Sequence, residues 1–282
     1  MLYCNTARAV SSCGKKFSIH ARSHTQAARG FGARKRDKTG KRQKQVSSPL
    51  PTSKTTDIFK EPFHQINTNY PGLRVLHTAP DIFAIPDFFT PSECDGLVAK
   101  SMQRMLPCLV VDEDGNVSED ETRTSTNANV PRREVPSIVS KLCTLGLCDE
   151  RQLETFQVLR YTDGDYFQPH TDGFEGPMTA NGFVDSARLV TVFVYLNDVE
   201  QGGETTFHAP TPFSRLQVRP RKGLAVLHFP TTLGFEEDRR TEHEGVAAID
   251  EKWLFVTWIW AHFRTDERYA ESVFPSLSDE II

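Results

Sequence analysis

Closely spaced cysteine pairs are what this chain most plainly lacks. Its six cysteines stand at 4, 13, 94, 108, 143 and 148, with no CxxC among them, which argues against a zinc knuckle or the disulfide framework of a small secreted domain. Such spacing fits a reducing compartment and buried or half-buried thiols, while a bridge between Cys143 and Cys148 stays open. No run of 18 apolar residues occurs and no apolar segment follows the start, so neither a spanning helix nor a conventional secretion signal is expected. The phosphate-cradling patterns GxGxxG and GxxxxGKS/T are also missing. Strands and helices do not alternate after residue 150, which disfavours a nucleotide-binding α/β fold.

Acidic residues are nearly absent from the start of the chain. Residues 1–45 hold 12 Lys or Arg and a single acid, Asp37, for a formal charge of +11; the whole 282-residue chain carries −4, so the remainder carries −15. The basic stretch is rich in Ser, Ala and Gly and poor in large apolar side chains, too little to build a core. Through Ala28-Arg29-Gly30-Phe31-Gly32 it reads as an organellar presequence, addressed to a mitochondrion or plastid. A nuclear signal, a nucleic-acid arm or a solvated tail on a nuclear or cytoplasmic protein are the alternatives. The expected plan is a basic tail at 1–45, a linker at 46–72, one folded domain at 73–265 and a C-terminal tail at 266–282.

Within that domain, the alternation from Leu73 and then from Asp81 predicts leading strands. Thr90-Pro91-Ser92-Glu93 has the form of a helix start: a hydroxyl cap, a proline whose missing N–H costs nothing, and an acid placed to bond back. A helix over about 91–105 follows, and a second is expected between Val135 and Leu147, burying Ile138, Val139, Leu142 and Leu145. Asp112-Glu113-Asp114-Gly115-Asn116 resembles part of a calcium loop but has the wrong spacing, and is read as a solvated hairpin or lid tip. Beyond Glu154 the chain runs in short apolar or alternating pieces: 156–161, 188–196, 216–219, 224–229, 246–249 and 253–260. Gly, Pro, Asn and Asp separate them, which is the pattern of a mainly β double-stranded β-helix, a cupin-like jelly roll with flanking helices.

Against that background, His170-Thr171-Asp172 stands out. Residues two apart on a strand share a face, so an imidazole and a carboxylate can reach one ion, and His243 can return on a distant strand. Two histidines and one carboxylate suit Fe(II) and leave three of six positions open. Lys252 follows His243 by nine residues, a strand and a tight turn, so its ammonium can meet the distal carboxylate of 2-oxoglutarate inside an apolar barrel. His208, His228 and His262 are read as solvated or structural, and Asp238 as orienting the segment that enters His243.

These residues belong to an ordered series: Arg123-Thr124-Ser125, Arg160-Tyr161-x-x-Gly164-Asp165, His170-x-Asp172, Tyr195-Leu196-Asn197-Asp198, Gly202-Gly203-Glu204-Thr205-x-Phe207, Arg221 to Phe229, His243-Glu244-Gly245 and Lys252-Trp253. Over about residues 80–263 the series resembles the prolyl 4-hydroxylase branch of the 2-oxoglutarate and Fe(II)-dependent dioxygenase superfamily. The resemblance implies His170, Asp172 and His243 as metal ligands and catalytic centre, and Lys252, Tyr161, Thr205 and Tyr195 around the oxoglutarate. Arg123, Ser125, Glu154, Arg188 and Trp258 would form the substrate groove. It further implies O2 as cosubstrate, ascorbate as reductant and an extended, Pro-rich peptide or protein as substrate. Asp172 keeps the carboxylate that related halogenases replace with a small residue, so hydroxylation is the expected outcome.

The chain departs from the pattern in three places. Phe167 stands for a tyrosine, Trp260 for a histidine near the substrate mouth, and Gly245-Val246-Ala247-Ala248-Ile249 for a frequent Gly-Cys-Pro-Val form. Two other readings therefore stand beside prolyl 4-hydroxylation: oxidation of another protein side chain or a small molecule, and a metal- or oxoglutarate-binding module without turnover. Basic residues gather in the tail rather than in an aromatic groove, which disfavours a nucleic-acid substrate.

Overall fold

In the computed structural model, residues 66–111, 117–119, 122–208 and 215–265 are described. The basic tail, most of the linker, the Asp112–Asn116 loop and the C-terminal tail lie outside these residues, together with the expectations placed on them. Ile66, 5% exposed, is already part of the core, and the Asn67 amide donates to the Leu145 carbonyl at 2.8 Å. Packing thus begins before the boundary expected at residue 73.

An antiparallel pair opens the fold, β1 (Arg74–Thr78) and β2 (Asp81–Ile85), followed by α1 (Pro91–Met102). Short strands β3 (Leu106–Pro107), β4 (Leu109–Val111) and β5 (Val117–Glu119) precede β6 (Thr126–Val130) and α2 (Pro136–Gly146). Then come β7 (Phe156–Tyr161), β8 (Phe167–His170), the pair β9 (Met178–Ala180) and β10 (Phe183–Ser186), and β11 (Arg188–Tyr195). The last elements are β12 (Thr205–Phe207), β13 (Leu216–Val218), β14 (Ala225–His228), β15 (His243–Gly245) and β16 (Lys252–Trp260). Eight strands pair in the order β1-β2-β14-β11-β16-β7-β6-β3 and four in the order β13-β12-β15-β8, the two sheets of a double-stranded β-helix.

Strand alternation divides the large sheet into two faces. Val190, Val192 and Val194 of β11 and Phe255 and Ile259 of β16 pack with Cys94 and Leu97 of α1 and Ile138, Leu142 and Leu145 of α2. The opposite residues, Phe193 and Tyr195 of β11 and Leu254, Val256, Trp258 and Trp260 of β16, join Phe207 and Val218 of the small sheet. Since β16 is buried along its whole length, Lys252 at its start is carried into the interior with the even-numbered residues.

Helix α1 starts as its sequence predicts. The Glu93 amide donates to Thr90 Oγ1 at 3.2 Å and the Thr90 amide to Glu93 Oε2 at 2.8 Å. Glu93 also receives Ser137 Oγ at 3.0 Å and pairs with Lys141, so one carboxylate joins the ends of both helices. The helix stops at Met102 rather than 105, where the Arg104 amide turns back to the Ser101 carbonyl. The strand expected at 246–249 does not form. Its amides at Val246, Ala248 and Ile249 go instead to the carbonyls of Glu204, Asp165 and Gln201, tying loops together. The four described cysteines are free thiols, with Cys143 and Cys148 hydrogen-bonded to each other rather than bridged.

Candidate active site

The small sheet brings the two histidines together. In the antiparallel pairing of β15 with β8, His243 lies opposite His170, and their rings stand 4.4 Å apart. Asp172 follows just beyond β8. Its Oδ1 is 3.8 Å from His170 Nε2 and its Oδ2 is 3.8 Å from His243 Nε2, and the candidate ligand atoms of all three residues lie within 4.8 Å of one another.

Backbone carbonyls fix both rings in the same sense. His170 Nδ1 contacts the Gln168 carbonyl at 2.8 Å and His243 Nδ1 the Thr241 carbonyl at 3.0 Å, so each Nδ1 carries the proton and each Nε2 lone pair faces the cluster. Asp238 holds the entry to His243: its carboxylate caps the turn at the Arg240 amide, 3.0 Å, and its carbonyl accepts the Thr241 hydroxyl at 2.7 Å. Burial pushes both imidazoles below their ordinary pKa, His243 strongly, with the neighbouring His170 adding to it, so both are neutral donors. Burial works the other way on Asp172, but the His228, His243 and His170 imidazoles outweigh it and hold the carboxyl well below its usual range. Two neutral nitrogens and one ionised oxygen form a donor set that fits Fe(II) and leaves three positions for other ligands.

At the other end of the same cavity lies Lys252, 1% exposed. Among the described residues its ammonium has no carboxylate within ion-pair distance. Its neighbours are the ring of Tyr161, 4.6 Å from Nζ, and that of Tyr195 at 5.9 Å. Loss of water lowers its pKa to about 7, only partly countered by Glu204. A buried cation without an anion, in one chamber with an open metal donor set, fits a dicarboxylate that chelates metal at one end and meets the amine at the other.

Residues 156–260 match the family profile described as the 2OG-Fe(II) oxygenase superfamily. "Probable prolyl 4-hydroxylase 6" of Arabidopsis thaliana is 31% identical over 204 residues, 65% of this chain and 70% of that protein. The chain belongs to the prolyl 4-hydroxylase branch of that superfamily. "Prolyl 4-hydroxylase 2" of the same plant is 29% identical over 228 residues, 73% of this chain and 75% of its own. Among solved structures, a viral collagen prolyl hydroxylase from Paramecium Bursaria Chlorella virus-1, in complex with 2OG, shares 25% identity with a TM-score of 0.48, covering 64% of this chain and 96% of that one. The protein is an Fe(II)- and 2-oxoglutarate-dependent dioxygenase, with O2 as the second cosubstrate.

The other residues singled out from the sequence take varied places in this oxygenase. Tyr161 and Thr205 line the cavity, and the Tyr161 hydroxyl is drawn toward Ser125 and Arg123. Tyr195, expected in the lining, stands one layer back, its hydroxyl 2.8 Å from Thr205 Oγ1 and 3.2 Å from the Val218 carbonyl. Arg123 and Trp258 reach the cavity wall. Ser125, Glu154 and Arg188 do not: Ser125 is buried under the Arg123 guanidinium at 3.2 Å, and Glu154 and Arg188 consume each other's charge. Arg188 donates to Glu154 through Nε and Nη2, both at 2.8 Å, and the carboxylate also takes Asn181 Nδ2 at 3.0 Å and Trp260 Nε1 at 2.7 Å.

Trp260 is therefore fully buried, stacked on Phe183 with centroids 4.4 Å apart, instead of standing at a mouth. Phe167 does line the cavity and stacks on His170 at 3.6 Å, with the Arg123 guanidinium 4.8 Å from its ring centroid. Sequence reasoning missed Thr191, whose hydroxyl donates to Asp172 Oδ2 at 2.9 Å, and left His228 in the core although its Nε2 is 3.4 Å from the same oxygen. The available signal was a polar residue inside each of two apolar strands, Leu189-Val190-Thr191-Val192-Phe193 and Ala225-Val226-Leu227-His228-Phe229.

Proposed function

We propose that this dioxygenase 4-hydroxylates proline in an extended peptide, releasing succinate and CO2, with ascorbate as reductant. The observation that carries the reading is the buried ammonium of Lys252, without a carboxylate partner among the described residues, opening into the cavity that holds the three candidate metal ligands. The names of the relatives support proline as the target, and so does the apolar wall of Phe167 and Trp258 beside the metal site, on which a pyrrolidine ring can pack.

In this reading His170, Asp172 and His243 hold Fe(II), which with bound 2-oxoglutarate and O2 supplies the oxidation that places one oxygen atom on the substrate. Lys252 binds the distal carboxylate of the cosubstrate, Thr205 adds a hydroxyl held by Tyr195, and Tyr161 closes the chamber over the amine. Arg123 fixes the Phe167 ring against His170, which keeps water from that side of the metal. Arg188 and Glu154 shape the wall behind Trp258: the guanidinium lies 3.7 Å from the Trp258 ring centroid.

The test is anaerobic loading with Fe(II) and 2-oxoglutarate, then oxygen and a panel of Pro-rich peptides, following succinate and the gain of one oxygen by mass. Succinate formation that rises with a proline peptide, with the oxygen mapped to that residue, is expected. Oxygen on another side chain would give the scaffold a different target, and binding without succinate would make it a module without turnover. His170→Ala should form no succinate. Lys252→Ala should raise KM for 2-oxoglutarate on the order of tenfold or more, the worth of a charge-assisted hydrogen bond of ~1.5–3 kcal/mol.

A further inference from the structure

We propose that His228 is a positioning residue which, with Thr191, pins Oδ2 of Asp172 so that the carboxylate offers only Oδ1 to the metal. The inference rests on the assignment of His170, Asp172 and His243 as the iron site. Strand β14 sends Ala225 and Leu227 toward the helices and Val226 and His228 into the barrel. His228 lies opposite Thr191 in the β11–β14 pairing, and Thr191 lies opposite Trp258 in the β11–β16 pairing, so a row of inward side chains runs across three strands.

The ring is completely buried and neither nitrogen has a well-formed hydrogen bond. Edges and faces of other rings surround it: Phe207 at 5.3 Å, Phe193 at 6.4 Å and His243 at 4.7 Å. Asp172 Oδ2 is 3.4 Å from Nε2, longer than a charge-assisted bond at its best and within reach of one. A buried imidazole surrounded by aromatic rings is disfavoured against a phenyl of similar shape unless a nitrogen finds a partner, so the tautomer with its proton on Nε2 is the one this pocket selects.

The consequence concerns coordination. Two imidazoles and one carboxylate oxygen occupy three of six positions, whereas a carboxylate bound through both oxygens would take a fourth and leave too few for a chelating cosubstrate and O2. Thr191 donates to Oδ2 and His228 Nε2 stands within reach of it. Oδ2 lies 3.8 Å from His243 Nε2 as Oδ1 does from His170 Nε2, so it is the two donors on Oδ2 that leave Oδ1 as the oxygen free for the metal.

Mn(II) alone, titrated calorimetrically into the full chain, tests this with His228→Phe, His228→Gln and Thr191→Val. The Phe variant should bind Mn(II) about 10–100-fold more weakly, as for loss of other groups that orient metal ligands. Gln, which keeps an N–H donor, should recover most of that loss, and Val should weaken binding in the same direction. Metal-free His228→Phe should melt no lower than the parent protein. Unchanged Mn(II) affinity in His228→Phe would overturn the proposal and leave a packing role. Equal loss in Phe and Gln, with the parent Co(II) spectrum showing a third imidazole, would overturn it in favour of a fourth protein ligand. Should the Phe variant not fold, the Gln and Val variants decide: the proposal fails if Val binds Mn(II) as the parent does. Failure of the parent protein itself to bind Mn(II) would instead sink the iron-site assignment.

Discussion

Lys252 has lost its water and, among the described residues, gained no carboxylate, and its protonation follows from that. Its pKa falls to about 7 by burial, against about 10.4 in an unfolded chain. Between those values the unfolded chain binds more protons than the folded one, so this residue makes stability rise with pH through that window; below about 7 its unfavourable contribution is present in full. A dicarboxylate bound at the amine reverses the preference and restores the ammonium. Calorimetry of 2-oxoglutarate binding to the Zn(II)-loaded protein, in two buffers of different ionisation enthalpy, should show little proton uptake at pH 6 and approach one proton near pH 9. Absence of uptake at the higher pH would place the amine elsewhere. Gly203 guards the same stem: at φ +70° it tolerates no side chain without strain, and a Cβ there would lie 3.1 Å from Lys252 Cδ. Gly203→Ala should therefore raise KM for 2-oxoglutarate as well as lower the melting temperature, whereas a turn defect alone would change only the second.

At the scale of elements, the first helix shows how a local signal is reused in packing. The Thr90 and Glu93 reciprocal bonds start α1, and the same carboxylate reaches Ser137 and Lys141 of α2. Thr90→Ala should cost about 1 kcal/mol, the usual worth of a helix cap. Glu93→Ala should cost more, because it removes the cap and the link between helices together. Denaturant midpoints measure both, and equal losses would mean that the link to α2 contributes nothing. The two strands that carry the histidines are four and three residues long, too short to hold a register by themselves. Their register comes from the β12–β15 pairing, where Phe207 faces His243. Placing ligands cross-strand at 4.4 Å makes the ion a staple between β8 and β15.

For the whole molecule, the face between the two sheets is both core and reaction chamber, so stability and ligand binding are linked. Mn(II) at one hundred times its dissociation constant should stabilise the protein by ~2.7 kcal/mol, and His170→Ala should abolish that gain. A melting temperature that rises equally in both would place the bound ion elsewhere. The opposite wall depends on the Arg188–Glu154 pair. With Glu154→Ala the guanidinium is left buried among Trp258, Phe174 and Trp260, at an expected cost of about 3–5 kcal/mol. Guanidinium unfolding of the metal-free protein measures it, and a loss below about 1 kcal/mol would mean that water reaches Arg188.

By itself the sequence determined the strand and helix plan, the order of the chemistry-bearing residues and the candidates for the iron and oxoglutarate ends. Those are local matters of period, capping and spacing: His170 and Asp172 had to share a face, and Thr90-Pro91-Ser92-Glu93 had to begin a helix. Only the tertiary structure decided which polar residues face the cavity. Glu154, just ahead of β7, and Arg188, at the start of β11, are charged, yet they spend their charge on each other because the fold sets β11 beside β16 and returns residue 154 to the end of that wall. Tyr195 and Trp260, both inward-facing, were turned from lining to support by hydroxyl and indole bonds to partners far away in the chain. Thr191 and His228 became neighbours of Asp172 for the same reason, since cross-strand register joins residues that no sequence period relates.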